Sequence, residues 1–232
     1  MRRVFLIFLI LGFIEAKEIY ATFSVVAKKR ANLAFNISGI VDKVNVDIGS
    51  KVKKGDIIAN LKANDLKANI KLAKVSLKYA KKDYLRAKNA GDALDRAKQD
   101  AFNYKFELAK AKLEQANAVY QKTILKAPFD GVITAKYIES GDGISAMPPK
   151  TVFKIESFSN KKLILEFDQK YFKSVKVGDK FRYSIDGDSK SYIGKISKIY
   201  PTIDVITRRA KAEVEVFDVP SGLFGTGYII SE

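Results

Sequence analysis

The sequence predicts a multidomain α+β protein: a small β-sandwich split by an antiparallel α-helical coiled-coil hairpin, followed by a small six-stranded β-barrel. Three observations predict it. Two glycine-bounded β segments repeat at an offset of 92 positions. Between them, residues 64–120 contain no Pro and hold apolar residues at heptad spacing. After Thr151 the pattern changes to short alternating segments separated by turns.

The N-terminus reads Met-Arg-Arg, then Val4 to Ile14 without a charge, then Glu15-Ala16-Lys17. A basic start followed by an apolar run of 11 residues fits a secretory signal peptide over 1–16, and the run is shorter than the ~20 residues a membrane-spanning helix needs. An uncleaved anchor and a buried N-terminal element are the other readings. The composition narrows the chemistry. The 232 residues include no His, Cys or Trp, which excludes an imidazole base, a thiol nucleophile, a disulfide and a zinc knuckle. No catalytic residue, metal ligand set or cofactor is expected. The charge is +16, from 42 Lys+Arg against 26 Asp+Glu, and falls to +15 if Arg2, Arg3 and Glu15 leave with a signal peptide. For an exported chain such charge points to anionic lipid or acidic protein faces, not to nucleic acid.

The first β segment runs Gly39-Ile-Val-Asp-Lys-Val-Asn-Val-Asp-Ile-Gly49 and on to Gly55-Asp-Ile-Ile-Ala. The second runs Gly131-Val-Ile-Thr-Ala-Lys-Tyr-Ile-Glu-Ser-Gly141. Val41 matches Ile133, Val46 matches Ile138, Asp47 matches Glu139 and Val52 matches Ile144, so the two are an internal repeat. Gly39, Gly49, Gly55, Gly131 and Gly141 are read as its turn positions. Neither half buries enough alone; packed together they make a sandwich.

In the insert, the first arm places Leu66, Ile70, Ala73, Leu77, Ala80, Tyr84 and Ala87 on one seam. The second arm is read with Leu94, Ala97, Ala101, Tyr104, Leu108, Ala111, Gln115 and Ala118 on its seam. Asn64 is expected to cap the first helix, Gly91 to end it, and Asp92 with Asp95 to open the second. Lys67, Lys71, Lys74, Lys78, Lys81 and Lys88 trail the first seam by one residue, while Asp100, Glu107 and Glu114 repeat at seven on the second arm. Such stripes suit either pairing within one hairpin or packing of one hairpin's basic flank on the next one's acidic flank.

The stretches Ser38–Ala59 and Ile124-Leu-Lys-Ala-Pro-Phe-Asp-Gly131 through Asp142 resemble the two halves of a lipoyl/biotinyl-like domain. Two such halves around a helical insert resemble the periplasmic adaptor family (HlyD-like membrane fusion proteins) of bacterial tripartite efflux and type I secretion systems. The C-terminal third resembles it too, at Val177-Gly-Asp179, Gly194-Lys-Ile196, Pro201 and Thr207-Arg208. The resemblance implies a lipoyl-like sandwich in halves 36–63 and 121–148, the hairpin at 64–120 and a barrel at 149–232. It leaves 17–35 as an N-terminal strand or a reduced membrane-proximal domain, basic at Lys28-Lys29-Arg30 and able to lie near anionic lipid. It implies a non-enzymatic subunit that bridges an inner-membrane transporter (resistance–nodulation–division or ABC) to a TolC-like outer-membrane channel, for export of drugs or other small molecules. It further implies a homo-oligomeric ring, trimer or hexamer, in the periplasm at the inner membrane. The family docks its channel through an Arg-Leu-Ser set at the hairpin tip. Here Arg86 stands at the Arg position and Asp95 at the Ser position, with no Leu in register. The docking set is then Arg86, Asn89, Gly91, Asp92, Leu94 and Asp95. The alternative, a lipoyl- or biotinyl-type carrier, needs a modifiable Lys on the turn between the halves, where this chain has the hairpin. Glu166 and Asp168, two apart on one strand, could suggest a carboxylate hydrolase, but read more simply as surface charges.

Overall fold

The computed structural model describes residues 17–158 and 160–231; the expected signal peptide lies outside them. In chain order the strands are β1 (Lys17–Ala27), β2 (Arg30–Leu33), β3 (Gly39–Val44), β4 (Lys51–Val52) and β5 (Ile57–Leu61). Helices α1 (Asn64–Ala90) and α2 (Arg96–Gln121) come next. Then follow β6 (Ile124–Lys126), β7 (Gly131–Lys136), β8 (Gly143–Ile144), β9 (Phe153–Glu156), β10 (Asn160–Asp168), β11 (Lys180–Ile185), β12 (Tyr192–Ile203), β13 (Arg209–Phe217) and β14 (Phe224–Ser231). Two units result, residues 30–156 and residues up to 29 together with those from 157.

The repeat is realised as a strand exchange. The sandwich sheets are β2-β9-β7-β4 and β6-β5-β3-β8. Gly39 and Ile40 pair with Ile144 and Gly143, while Gly131 and Val132 pair with Val52 and Lys51. Each half therefore gives its second short strand to the other half's sheet. The turn bonds follow the same symmetry. Gly49 N–H donates to the Ile133 carbonyl and Gly141 N–H to the Val41 carbonyl, at 2.8 and 2.9 Å. The core between the sheets holds Phe35, Val41, Ile58, Leu61, Ile133, Phe153 and Ile155, all buried. Of the five glycines read as turns, Gly49, Gly55 and Gly141 take positive φ. Gly39 and Gly131 instead begin strands. A Cβ on Gly131 would lie 2.4 Å from the Glu156 carbonyl oxygen, so close backbone approach, not a turn, requires that glycine.

The barrel closes in the order β1-β10-β13-β12-β11-β14. It has the six strands expected, but one differs. The alternating segments expected to form it begin after Thr151, whereas β9, the first strand beyond that point, pairs with β2 and β7 in the sandwich. The place is taken by β1, which pairs with β10 and β14 and buries Ile19, Ala21, Phe23 and Val25 in the barrel core. Residues 17–35 are therefore divided between the units, and Lys28-Lys29-Arg30 lies at that division, with Lys28 paired to Glu215 at 2.8 Å. Phe23, Phe181 and Tyr183 pack with ring centroids 5.3–5.9 Å apart at the centre of the barrel. Between β10 and β11 the chain makes a 3-10 turn at Gln169–Tyr171, capped by the Asp168 carboxylate.

Candidate functional site

The 27-residue α1 and 26-residue α2 make an antiparallel hairpin between the sandwich halves. On α1 every seam residue read from the sequence is buried or half-buried, from Leu66 to Ala87. On α2 the seam is a different one: Gln99, Phe102, Phe106, Ala109, Leu113, Ala116 and Tyr120. The predicted α2 seam faces water, with Tyr104 67% and Leu108 40% exposed. Bulk decides between the two stripes. The true seam carries both phenylalanines, and Phe106 stacks on Tyr84 with ring centroids 5.2 Å apart; alanines fill the outer stripe. The seam alanines Ala87 and Ala109, 4% and 7% exposed, are the buried positions of the two helices.

This register fixes where the charged stripes go. The lysines of α1 and the acids of α2 each follow a seam residue, and in an antiparallel pair those flanks share one side of the hairpin. One groove on that side is lined by Lys88, Asp100 and Asn103, and another by Lys67, Lys71, Lys74, Asn117 and Gln121. Among the described residues no ion pair joins the helices; Arg86 pairs with Asp83 at 3.5 Å and Glu107 with Lys110 at 3.7 Å, each within its own helix. The other flank of α2 carries Lys98, Lys105 and Lys112, which precede the seam residues. Outside both flanks, Leu72, Val75 and Tyr79 of α1 stay 45–68% exposed.

At the tip, α1 ends at Gly91, with φ 51, and a 3-10 turn over Gly91–Ala93 leads to Asp95, the N-cap of α2. The expected caps differ. Ala63, not Asn64, precedes α1, and neither Asp92 nor Asp95 bonds a helix N–H through its side chain. Gln99 does the stapling: its side-chain amide donates to the carbonyls of Gly91 and Leu94 at 2.7 and 2.9 Å. A polar residue opening an otherwise apolar heptad was the signal for it. The Arg86 side chain is 79% exposed, and Asn89, Asp92 and Asp95 are exposed around the turn while Leu94 is half-buried. The tip is thus a polar loop held by Gln99, and the exposed Arg86, paired only within its own helix to Asp83, can turn its guanidinium to carbonyls or carboxylates of a partner.

The repeat acids meet as well. Lys136, with a side chain 17% exposed, bridges Asp47 at 3.4 Å and Glu139 at 2.7 Å, the two matched positions of the repeat. The Ile48 N–H and then Lys136 hold the Asp47 carboxyl below the ordinary carboxylate range, and Lys136 is raised, chiefly by its hydrogen bond to Glu139. In the barrel, burial alone would raise Glu213. Hydrogen bonds from Lys162 and Tyr200 outweigh it, and the carboxyl titrates below its ordinary value. Glu166 and Asp168 each sit beside a lysine, Lys211 at 3.1 Å and Lys170 at 3.7 Å. Among the described residues no group of three or more acidic side chains could hold a metal ion, and no helix is long and apolar enough to cross a membrane.

Comparison with known proteins places this architecture. The CzcB-like barrel-sandwich hybrid domain model matches residues 29–156, more than half of the chain. The cobalt-zinc-cadmium resistance protein CzcB of Cupriavidus metallidurans is 26% identical over 203 residues, which are 80% of this chain and 39% of that protein. The cation efflux system protein CzcB of an Alcaligenes species is 25% identical over 203 residues, with the same coverage. The chain thus spans 39% of the length of these curated relatives. Among solved structures, a MacA-MexA chimera containing the Pseudomonas aeruginosa MexA α-hairpin matches with TM-score 0.87 and 22% identity over 94% of this chain and 80% of that one. The membrane fusion protein Spr0693 of Streptococcus pneumoniae matches with TM-score 0.74 and 18% identity over 92% of this chain and 99% of that one. With its exchanged sandwich, inserted hairpin and closed barrel, the chain shares the fold of these solved structures and belongs to the CzcB-like barrel-sandwich hybrid domain family.

Proposed function

We propose that the chain is a non-enzymatic periplasmic adaptor, associated with the inner membrane, that links an efflux transporter there to an outer-membrane channel as a ring of copies. The observation that carries this reading is the hairpin. Two helices, the longer of 27 residues and ~40 Å, reach from the sandwich to a stapled polar tip that carries an exposed Arg86. Such an element gives reach and a docking end without any chemistry. The names of the CzcB relatives favour metal cations over drugs as the exported species.

The docking half is tested by a photoreactive residue at position 86, which should trap an outer-membrane channel in the cell envelope. Trapping no channel protein overturns docking through this tip. For the cargo, loss of the chain should raise sensitivity to cobalt, zinc or cadmium salts. Unchanged metal sensitivity with raised drug sensitivity overturns the cation reading.

A further inference from the structure

The end of the barrel at which the chain enters carries exposed apolar points within a basic surround, and we propose that this end docks on an anionic phospholipid surface. In a closed barrel of antiparallel strands, the start of β1, the β10–β11 connection and the β12–β13 turn all lie at one end. The β12–β13 turn is held from within. The Asp204 carboxylate accepts the N–H groups of Ile206 and Thr207 at 3.0 and 2.9 Å, and the Arg208 N–H donates to the Asp204 carbonyl at 2.8 Å. At the tip of this fixed turn Val205 and Ile206 are each 89% exposed. A second turn at the same end, Lys176–Asp179, presents Val177 at 63% exposure, its backbone bonded to the Asp179 carboxylate and to Ile196. Aliphatic side chains held in water by rigid turns, not by flexible loops, mark a surface meant to be covered.

The charge at this end identifies the cover. Its acids are already engaged: Glu18 with Arg182, Glu166 with Lys211, Asp168 with Lys170, and Asp179 and Asp204 with backbone N–H groups. Among the described residues Lys173, Lys176, Lys180 and Arg208 have no such partner. Lys17 and Lys170 both stand over the Tyr171 ring, at 4.7 and 4.9 Å. Beside the turn opens a cleft of 670 Å³ whose lining includes Tyr20 and Tyr228, the cations Lys170, Arg208 and Arg209, and the paired carboxylates Glu18, Glu166 and Asp168. Cations for the phosphate, aliphatic points for the acyl boundary and half-exposed tyrosines between them are the three parts of an interfacial lipid contact.

The proposal rests on the adaptor reading only for placing this end at a bilayer. Because the chain has no Cys, a single Cys carries a polarity-sensitive fluorophore without ambiguity. The full chain is labelled at Ile206→Cys, or at Leu72→Cys on the hairpin as control, and mixed with vesicles of phosphatidylglycerol or of phosphatidylcholine alone. The probe at 206 should enter an apolar environment and be quenched by brominated lipid on the anionic vesicles only, less so in high salt, with no change at 72. Replacing Val205 and Ile206 by Asp, with the label moved to Val177→Cys, should weaken the response by about tenfold or more. A probe at 206 that stays in water on anionic vesicles overturns the proposal. So does burial that needs a transporter protein in the bilayer, since the occupant is then protein. The hairpin tip takes no part in this assay, so a negative result leaves the adaptor reading standing.

Discussion

Lys136 shows how much a single side chain can depend on the repeat. It pairs with both matched acids, and nothing in a 92-residue offset marks it, since its own counterpart is Val44. The alignment of Asp47 with Glu139 was legible in the sequence; the lysine between them was not, because a shared counter-ion leaves no periodic trace. Its effect on pH dependence has a definite sign. The folded Asp47 titrates below its ordinary value, so its ionised form favours the fold above the usual carboxylate range, and that contribution is lost as the pH falls through this range to the lowered value. Lys136→Met should bring Asp47 back up toward the ordinary range in an NMR titration. It should also lower the urea midpoint at neutral pH, with the gap to the parent closing as the pH falls through the lowered Asp47 value. A gap that persists there would mean that Lys136 acts through packing alone.

Among the elements, legibility depended on whether local bulk or distant pairing decided. The first helix has one continuous apolar stripe, its rival being broken by Lys82 and Arg86, and its seam reads correctly. The second helix has two stripes of nearly equal length. Counting Ala as equal to Phe selects the wrong one, while ring size and the Tyr84–Phe106 stack select the right one. The closing strand β1 was visible as an alternating run, but its partners β10 and β14 lie more than a hundred residues away, so its membership was not. The corrected register also sharpens the role of the charges. Asp100, Glu107 and Glu114 on one flank of α2 lie within ~3 Å along the axis of Lys98, Lys105 and Lys112 on the other, so adjacent copies can meet acid to base. Because no ion pair among the described residues joins α1 to α2, reversing the three acids to Lys should leave the helicity of the hairpin unchanged. It should weaken self-association and alter its salt dependence, with each exposed pair contributing ~0.2–1 kcal/mol. Sedimentation across a salt series reads this; unchanged assembly would show that the stripes are merely solvated.

The whole molecule is organised by an insertion, and the closing of the sandwich around it makes the insertion removable. The hairpin leaves after β5 and returns before β6, and those two strands pair directly, Asn60 with Ile124 and the Leu61 N–H with the Thr123 carbonyl at 2.9 Å. The ends of the hairpin are therefore already one strand spacing apart, a gap that a turn of two to four residues spans. None of the pairings that carry the exchange, β3 with β8 and β4 with β7, uses a helix residue. Replacing residues 63–122 by an Asn-Gly turn should thus leave the sandwich folded and still unfolding cooperatively, with the loss confined to the helical part of the circular dichroism. Trapping of the outer-membrane channel should vanish with it, while vesicle binding at position 206 should persist. A chain that fails to fold without its hairpin would show instead that the two halves need the helices to find each other, through a contact between helix and sheet and not through the strand exchange.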